Sequence, residues 1–417
     1  MAATSFAADP TPLTLADCYA LALKRSETIA THAELIAEAE GRFLQSVSGV
    51  LPRASFVSSD KRQDGSGSSA FTLKEVPERR FAFSQPIFSG FKEFAAMAGS
   101  RAERRQRREE KVRAEQLLLV DVADAFHFVL ERREDLQALE ATRLALIERL
   151  DELKERERLG RSRQSEVASA EARLRRVEAE MELIRSDEVV SRQLLEFLTG
   201  LDRVDAITDP DPSLPPLEDE EASIAATAAR PDVRAAEDVW RVAEKEVAIA
   251  RAKFWPSVSA EGNYYIERAG AAEDVTWDAT LKVDVPLFQG GQAVGATREA
   301  AARARQAKLR LTEQQRRAAL DAKDSYTRLK AAQARTRALE KALQASEESY
   351  RLQVEDYRLN LVNNLEVLEA LQLLQDARRD FIHATHEAKR LYWQLRVATG
   401  RALSPQPPAP SPEPTSQ

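Results

Sequence analysis

Apolar residues recur with helical spacing over most of this chain and alternate with polar ones in two short regions. Helical patterning covers 14–50 and 231–254, and then 91–158 and 291–358. In the third of these stretches Leu117, Val120, Ala123, Phe126 and Leu130 mark one face. Strand patterning is clearest after Pro256. There Val258, Ala260, Gly262, Tyr264 and Ile266 alternate with polar residues, and Trp277, Ala279, Leu281, Val283 and Val285 do so beyond a Gly-containing loop. The matching region, 52–86, alternates only at Phe81 and Phe83, and Gln63–Ser69 suits a hairpin tip.

The 18 prolines explain where these patterns change. None falls in 87–209 or 287–404, and proline costs roughly 3 kcal/mol in a helix interior. Segments 91–158 and 291–358 therefore read as single helices, each on the order of 100 Å at about 1.5 Å per residue. Charged residues make up 31% of the chain, so the outer faces read as solvated coiled coil.

Landmarks recur 200 residues apart. Gln85–Gly90 (QPIFSG) answers Val285–Gly290 (VPLFQG), Asp121, Asp124 and Phe126 answer Asp321, Asp324 and Tyr326, and Leu198–Gly200 answers Ala398–Gly400. Such an ordered series indicates tandem duplication. The expected organisation is a flexible N-terminus at 1–13 that resembles a signal remnant, a first repeat at 14–200 and a linker at 201–218. A second repeat at 219–402 and a disordered Pro-rich tail at 403–417 complete it. Each repeat holds a helix, a hairpin (52–86 or 256–286), a long helix and a return helix.

No window is apolar enough for a transmembrane helix. Strands of about ten residues, however, are long enough to cross a bilayer at a tilt. Tyr264 and Trp277, toward the loop end of their hairpin, suit a membrane–water interface. Four strands cannot close a barrel, and open edges are not tolerated in lipid, so a membrane-spanning sheet must be shared between chains. A soluble elongated coiled-coil scaffold, with the hairpins as ordinary loops, is the alternative.

Enzyme chemistry finds no support. The one cysteine, Cys18, reads as a small apolar helix residue, and no phosphate loop, Cys/His dyad or serine elbow is present. His383 and His386 share a helical face without a third ligand and read as a helix-surface pair rather than a metal site. No cofactor is expected. Nucleic-acid binding is excluded by a net charge of −7 and by glutamates interleaved in the Arg-rich stretch 101–113.

The series from Thr14 to about Arg401 resembles the TolC-like outer-membrane efflux protein family. Its most specific marks are Gln85–Gly90 with Val285–Gly290, and the helix turns Arg158–Val167 and Arg358–Val367. The resemblance implies a mainly α fold, a long coiled-coil barrel continuous with a transmembrane β-barrel shared between protomers. Four strands per chain would build a twelve-stranded barrel in a homotrimer in the cell outer membrane, with the helices in the periplasm. It further implies a passive exit duct for efflux or type I secretion, working with a periplasmic adaptor and an inner-membrane pump. Arg158, Leu159, Gly160, Arg358, Leu359 and Asn360 fall at the adaptor-docking tip. Glu166 and Tyr357 fall at gating positions, and Glu366 and Glu369 where acidic rings line the aperture. A solvated helix face is the competing reading of those two glutamates. Val362 stands where the family has a basic residue, so the closing network should differ.

Overall fold

A computed structural model describes residues 12–210 and 213–401. The expected tail at 403–417 and the signal-like residues 1–11 lie outside the described residues.

Helix α1, Leu15–Arg25, starts at a capping box in which Thr14 accepts from the Asp17 amide and the Asp17 carboxylate accepts from the Thr14 amide. The reading of 14–50 as one helix needs correction. Ser26 is extended, at φ −62° and ψ 116°, and its hydroxyl accepts from the Ile29 amide at 3.4 Å. Serine favours helix N-caps for this reason, and a second helix, α2, runs Glu27–Ser48.

The strands are β1 (Arg53–Arg62), β2 (Glu75–Ser89), β3 (Ser257–Arg268) and β4 (Trp277–Asp284). They form one antiparallel sheet in the order β1-β2-β3-β4. The hairpin that alternates less clearly in sequence contains the longest strand, β2. Register shifts at Arg79/Arg80 and Pro86/Phe88 interrupt its period of two. Pro86 lacks the N–H that a regular ladder needs, which locates the second irregularity.

Helices α3 (Lys92–Arg158) and α7 (Gln292–Arg358) have 67 residues each and return as α4 (Gln164–Thr199) and α8 (Asn364–Ala398). The second half opens with α5, Glu220–Ala226, and α6, which begins at Pro231 and ends at Arg251. Proline suits a first helical position, where its missing N–H has no intrahelical role.

The chain divides into two compact units. In one, formed by residues up to Ile29, Arg113–Arg230 and residues from Arg317, a core joins Cys18, Tyr19 and Ala22 of α1 to Leu119, Val122, Phe126 and Val129 of α3. The buried face of α3 thus passes through Leu119 and Val122, while Leu117 is 49% exposed. A second core packs Leu146, Leu150 and Leu153 of α3 against Leu174, Val177 and Met181 of α4 and Leu368 and Leu371 of α8. The linker at 201–218 is exposed at Pro210, Pro215 and Pro216 but packs against this unit ahead of them. Val204 and Ile207 are buried in the first core, and Ile207 bridges in parallel to Leu13.

The other unit, Ala30–Val112 with Pro231–Arg316, holds the sheet, α2, α6 and the starts of α3 and α7. Ion pairs join its helices beside buried alanines such as Ala39, Ala102 and Ala243: Arg105 donates to the buried Asp238 at 2.7 Å, and Arg104 to Glu40 at 3.1 Å. Gly90 and Phe91 turn the chain from β2 into α3 at φ 65° and 63°. A Cβ on Gly90 would sit 2.8 Å from the Ala252 carbonyl oxygen, so the turn requires glycine twice over.

Candidate functional site

The sheet is two-faced. Phe56, Phe81, Tyr264 and Trp277 are register partners across all four strands and form one continuous aromatic row. All four are exposed, and the Phe56 and Phe81 rings lie 5.4 Å apart. Further along the same face come Phe83, Ala279, Leu281, Val258 and Val283. Phe88, Phe91, Phe94 and Trp255 then make a second aromatic group, with centroid spacings of 5.1 to 6.4 Å. Phe81 and Phe88 are separated by roughly 24 Å of strand. Tilt shortens that span, and Phe91, Phe94 and Trp255 lengthen it, toward the ~25 Å apolar band of outer-membrane barrels. The opposite face is polar: Asn263 and Tyr265 both donate to Asp278 at 2.8 Å. Among the described residues no helix is long and apolar enough to cross a membrane.

The two long helices end alike. At the first turn Arg161 N–H donates to the Arg156 carbonyl and Gly160 N–H to that of Glu157, both at 2.8 Å. At the second, Leu361 N–H donates to Asp356 at 2.9 Å and Asn360 N–H to Tyr357 at 3.0 Å. Gly160 has φ 70° and Asn360 φ 58°, so both turns use the left-handed residue that closes a helix end. Leu159 and Leu359 are each 68% exposed. Arg158 pairs with Glu155 at 3.0 Å, and Arg358 is exposed.

The gating candidates occupy different surroundings. Tyr357 is buried, with the Arg149 guanidinium 3.5 Å and the Arg156 guanidinium 4.4 Å from its ring centroid. Arg149 also donates to Asn364 Oδ1 at 2.9 Å, and Glu152 accepts from both arginines, at 2.7 and 3.0 Å. One side chain of α3 therefore holds α7 through Tyr357 and the start of α8 through Asn364. The sequence reading missed Arg149, Arg156 and Asn364, although two arginines seven residues apart beside Leu150 and Leu153 mark a shared helix face.

Glu366 closes a capping box with Asn363. Asn363 Oδ1 accepts from the Leu365 and Glu366 amides at 2.8 and 3.2 Å, and its Nδ2 donates to Glu366 at 2.7 Å. Glu166 accepts from the Ser162 hydroxyl at 2.5 Å. Glu369 is exposed.

The histidine pair of α8 is not a surface pair. His386 is 2% exposed and lies 5.7 Å, centroid to centroid, from the buried His127. His383 bonds Glu131 at 2.6 Å, and Arg390 donates to the same carboxylate at 2.5 Å. Burial alone would raise the Glu131 pKa, but these two bonds outweigh it and hold the carboxyl at about 2. Burial and then the neighbouring His386 push His127 down to about 3, so it is neutral near pH 7. Burial likewise raises the Cys18 thiol to about 12, which leaves it an apolar core group. No cluster of three metal-ligating side chains occurs among the described residues.

Residues 224–401 match the family model described as outer membrane efflux protein. No curated protein matches the chain by sequence. Among solved structures, the outer membrane protein VceC from Vibrio cholerae is 22% identical, covers 93% of this chain and 96% of its own, and superposes with a TM-score of 0.80. A membrane protein from Pseudomonas aeruginosa is 18% identical over 94% and 92%, at a TM-score of 0.82. The CmeC outer membrane channel of Campylobacter jejuni is 16% identical over 94% and 87%, at 0.76. These likenesses extend the fold over both halves, beyond the segment that the family model covers. With its hairpins in one two-faced sheet and its long helices returning through matching turns, the chain has the fold of these outer membrane proteins, and its second half matches the outer membrane efflux protein model.

Proposed function

We propose that this chain is one protomer of a trimeric exit duct in the cell outer membrane, a passive conduit fed by a periplasmic adaptor and an inner-membrane pump. The sheet carries this reading. Its exposed face bears two aromatic groups around an apolar band, its other face is polar, and among the described residues each edge strand lacks a partner on its outer side. Lipid on the first face, water on the second and neighbouring protomers on the two edges would satisfy every part of it. Three copies supply the twelve strands of a closed barrel. The tandem duplication belongs to this reading, since it gives each protomer two hairpins and two long helices.

In the same reading the helix turns meet the adaptor, and the Arg149–Tyr357–Asn364 contact holds α7 and α8 against α3 in the closed state. Of the two glutamates three residues apart, Glu369 is the better candidate for the aperture, because Glu366 is engaged by Asn363. Detergent-extracted protein added to a planar bilayer should produce discrete conductance steps, and unheated samples should migrate as a trimer. Monodisperse protein in detergent-free buffer that never conducts would refute the duct. Replacing Glu369 with Gln should lower cation preference, and unchanged selectivity would remove Glu369 from the constriction.

A further inference from the structure

The two helix turns have different surfaces. The first, Arg158-Leu159-Gly160-Arg161-Ser162-Arg163-Gln164-Ser165, contains three arginines and no acid. Arg161 and Arg163 are exposed, and among the described residues neither has an ion-pair partner. The second, Arg358-Leu359-Asn360-Leu361-Val362-Asn363-Asn364-Leu365, has one arginine, no acid and three exposed leucines: Leu359 at 68%, Leu361 at 70% and Leu365 at 54%. The turns belong to one compact unit, and Arg149 of α3 reaches both Tyr357 and Asn364 beside the second turn. Arg173 of α4 donates to the Leu368 carbonyl of α8 at 2.8 Å, which ties the returning helices as well.

Exposed guanidinium groups are free to take an ion-pair partner, and three leucines exposed together at one turn make a local apolar patch rather than a scatter. Lysine, serine or asparagine would solvate such a turn without leaving apolar area in water. Three of the nearby carboxylates are already engaged: Glu155 by Arg158, Glu166 by Ser162 and Glu366 by Asn363.

We propose that the two turns form a bipartite foot for a protein partner whose end presents carboxylates to the α3–α4 turn and apolar side chains to the α7–α8 turn. This rests on the duct reading and specifies the chemistry of the adaptor that reading requires. Charge complementarity selects the occupant, since an acidic end is attracted to Arg161 and Arg163 and a basic one is repelled. The two halves of one chain thus offer inequivalent sites, a polar electrostatic one and an apolar one. A symmetric partner must then use the same side chains in two ways or present two kinds of end.

The test uses the full chain in detergent and three synthetic helical-hairpin peptides that differ only at the tip. One tip carries Asp and Glu flanking Leu, one Lys flanking Leu, and one Asp and Glu flanking Ser. Fluorescence anisotropy should show the acidic Leu tip binding, at least ten-fold more weakly in 300 mM than in 50 mM NaCl, because salt screens exposed charge. The paired substitution Arg161→Glu and Arg163→Glu should weaken that probe at least ten-fold and favour the Lys tip. Folding should survive, since among the described residues neither side chain has an ion-pair partner and Arg163 caps the start of α4, where the helix dipole favours an acid. Leu361→Ser with Leu365→Ser should weaken binding without changing its salt dependence, and the Ser tip should bind the unmodified chain as poorly. No binding of the acidic Leu tip, equal binding of the Lys tip, or indifference to salt would each overturn the proposal. Conductance of the same preparation separates the two readings. A conducting channel that fails the probe test loses only the bipartite foot, whereas a chain that never conducts loses the duct.

Discussion

Replacing Arg149 with Met keeps most of the stem of the side chain and removes its charge. The lost cation–π contact, at 3.5 Å from the Tyr357 centroid, accounts for about 0.5–2 kcal/mol. The buried Asn364 also loses its donor at Oδ1, and an unsatisfied buried acceptor costs about 1–3 kcal/mol. If opening the aperture parts α7 and α8 from α3, the closed state is weakened by roughly 2–4 kcal/mol, and 2 kcal/mol alone shifts the closed-to-open ratio about thirty-fold. Open probability in planar bilayers should therefore rise steeply in Arg149→Met. Tyr357→Leu should raise it too, and the double variant should fall short of the sum by about 0.5–2 kcal/mol, since the two residues share one contact. Additive effects would show that the guanidinium and the ring do not act together. An unchanged open probability, with lowered thermal stability, would show that the contact persists in both states and is no latch.

Acid should weaken the chain in two steps. His127, whose folded pKa is lowered to about 3, stays neutral in the fold while the unfolded chain takes up a proton. Stability should thus fall as pH drops below about 6.5 toward 3, and His127→Phe should remove that part of the slope in thermal unfolding. Glu131, lowered to about 2, contributes stability above its unfolded value that is lost as pH falls toward 2. On the order of 3 kcal/mol is involved, and Glu131→Gln should flatten this lower window. Gly90→Ala should be far more damaging than Gly160→Ala. Both have positive φ, but a Cβ at Gly160 meets nothing within 4 Å, and Gly160→Asn should be nearly neutral by analogy with Asn360. Leu281→Lys, on the apolar face, should lower the stability of the membrane-inserted protein by about 2–4 kcal/mol if it sits near the bilayer midplane. Thr280→Lys, one residue away on the polar face, should cost little, and refolding into vesicles with urea titration would measure both.

The long helices were legible almost to the residue, because nothing in 92–158 or 292–358 breaks a helix and Gly90, Gly160, Gly291 and Asn360 mark their ends. What escaped was whatever depends on a second element. Val204 and Ile207 fall in the linker at 201–218 by sequence, and only the core around Leu119 and Phe126 explains their burial. Arg149 carried no motif, since its role depends on the register between three helices. Glu366 is the reverse case. Asn363-x-x-Glu366 is a capping signal written in the sequence, and an equally good lining residue, Glu369, lies one turn on.

The aromatic row combines both situations. Tyr264 and Trp277 could be picked out from the alternation of their own hairpin, but Phe56 and Phe81 join them only through the β1–β2 and β2–β3 registers. Once the row is assembled, it argues against the soluble scaffold on physical grounds alone. Four large aromatic side chains between 43% and 67% exposed, side by side on one sheet, would be an aggregation hazard in water. Among the described residues the outer edges of β1 and β4 are unpaired, a second hazard, because open strands recruit other strands. One arrangement removes both at once, in which the edges pair with further copies of the sheet and the aromatic face meets lipid. A neighbouring protomer with the same sheet can supply such edges, which is the assembly that the proposed duct requires.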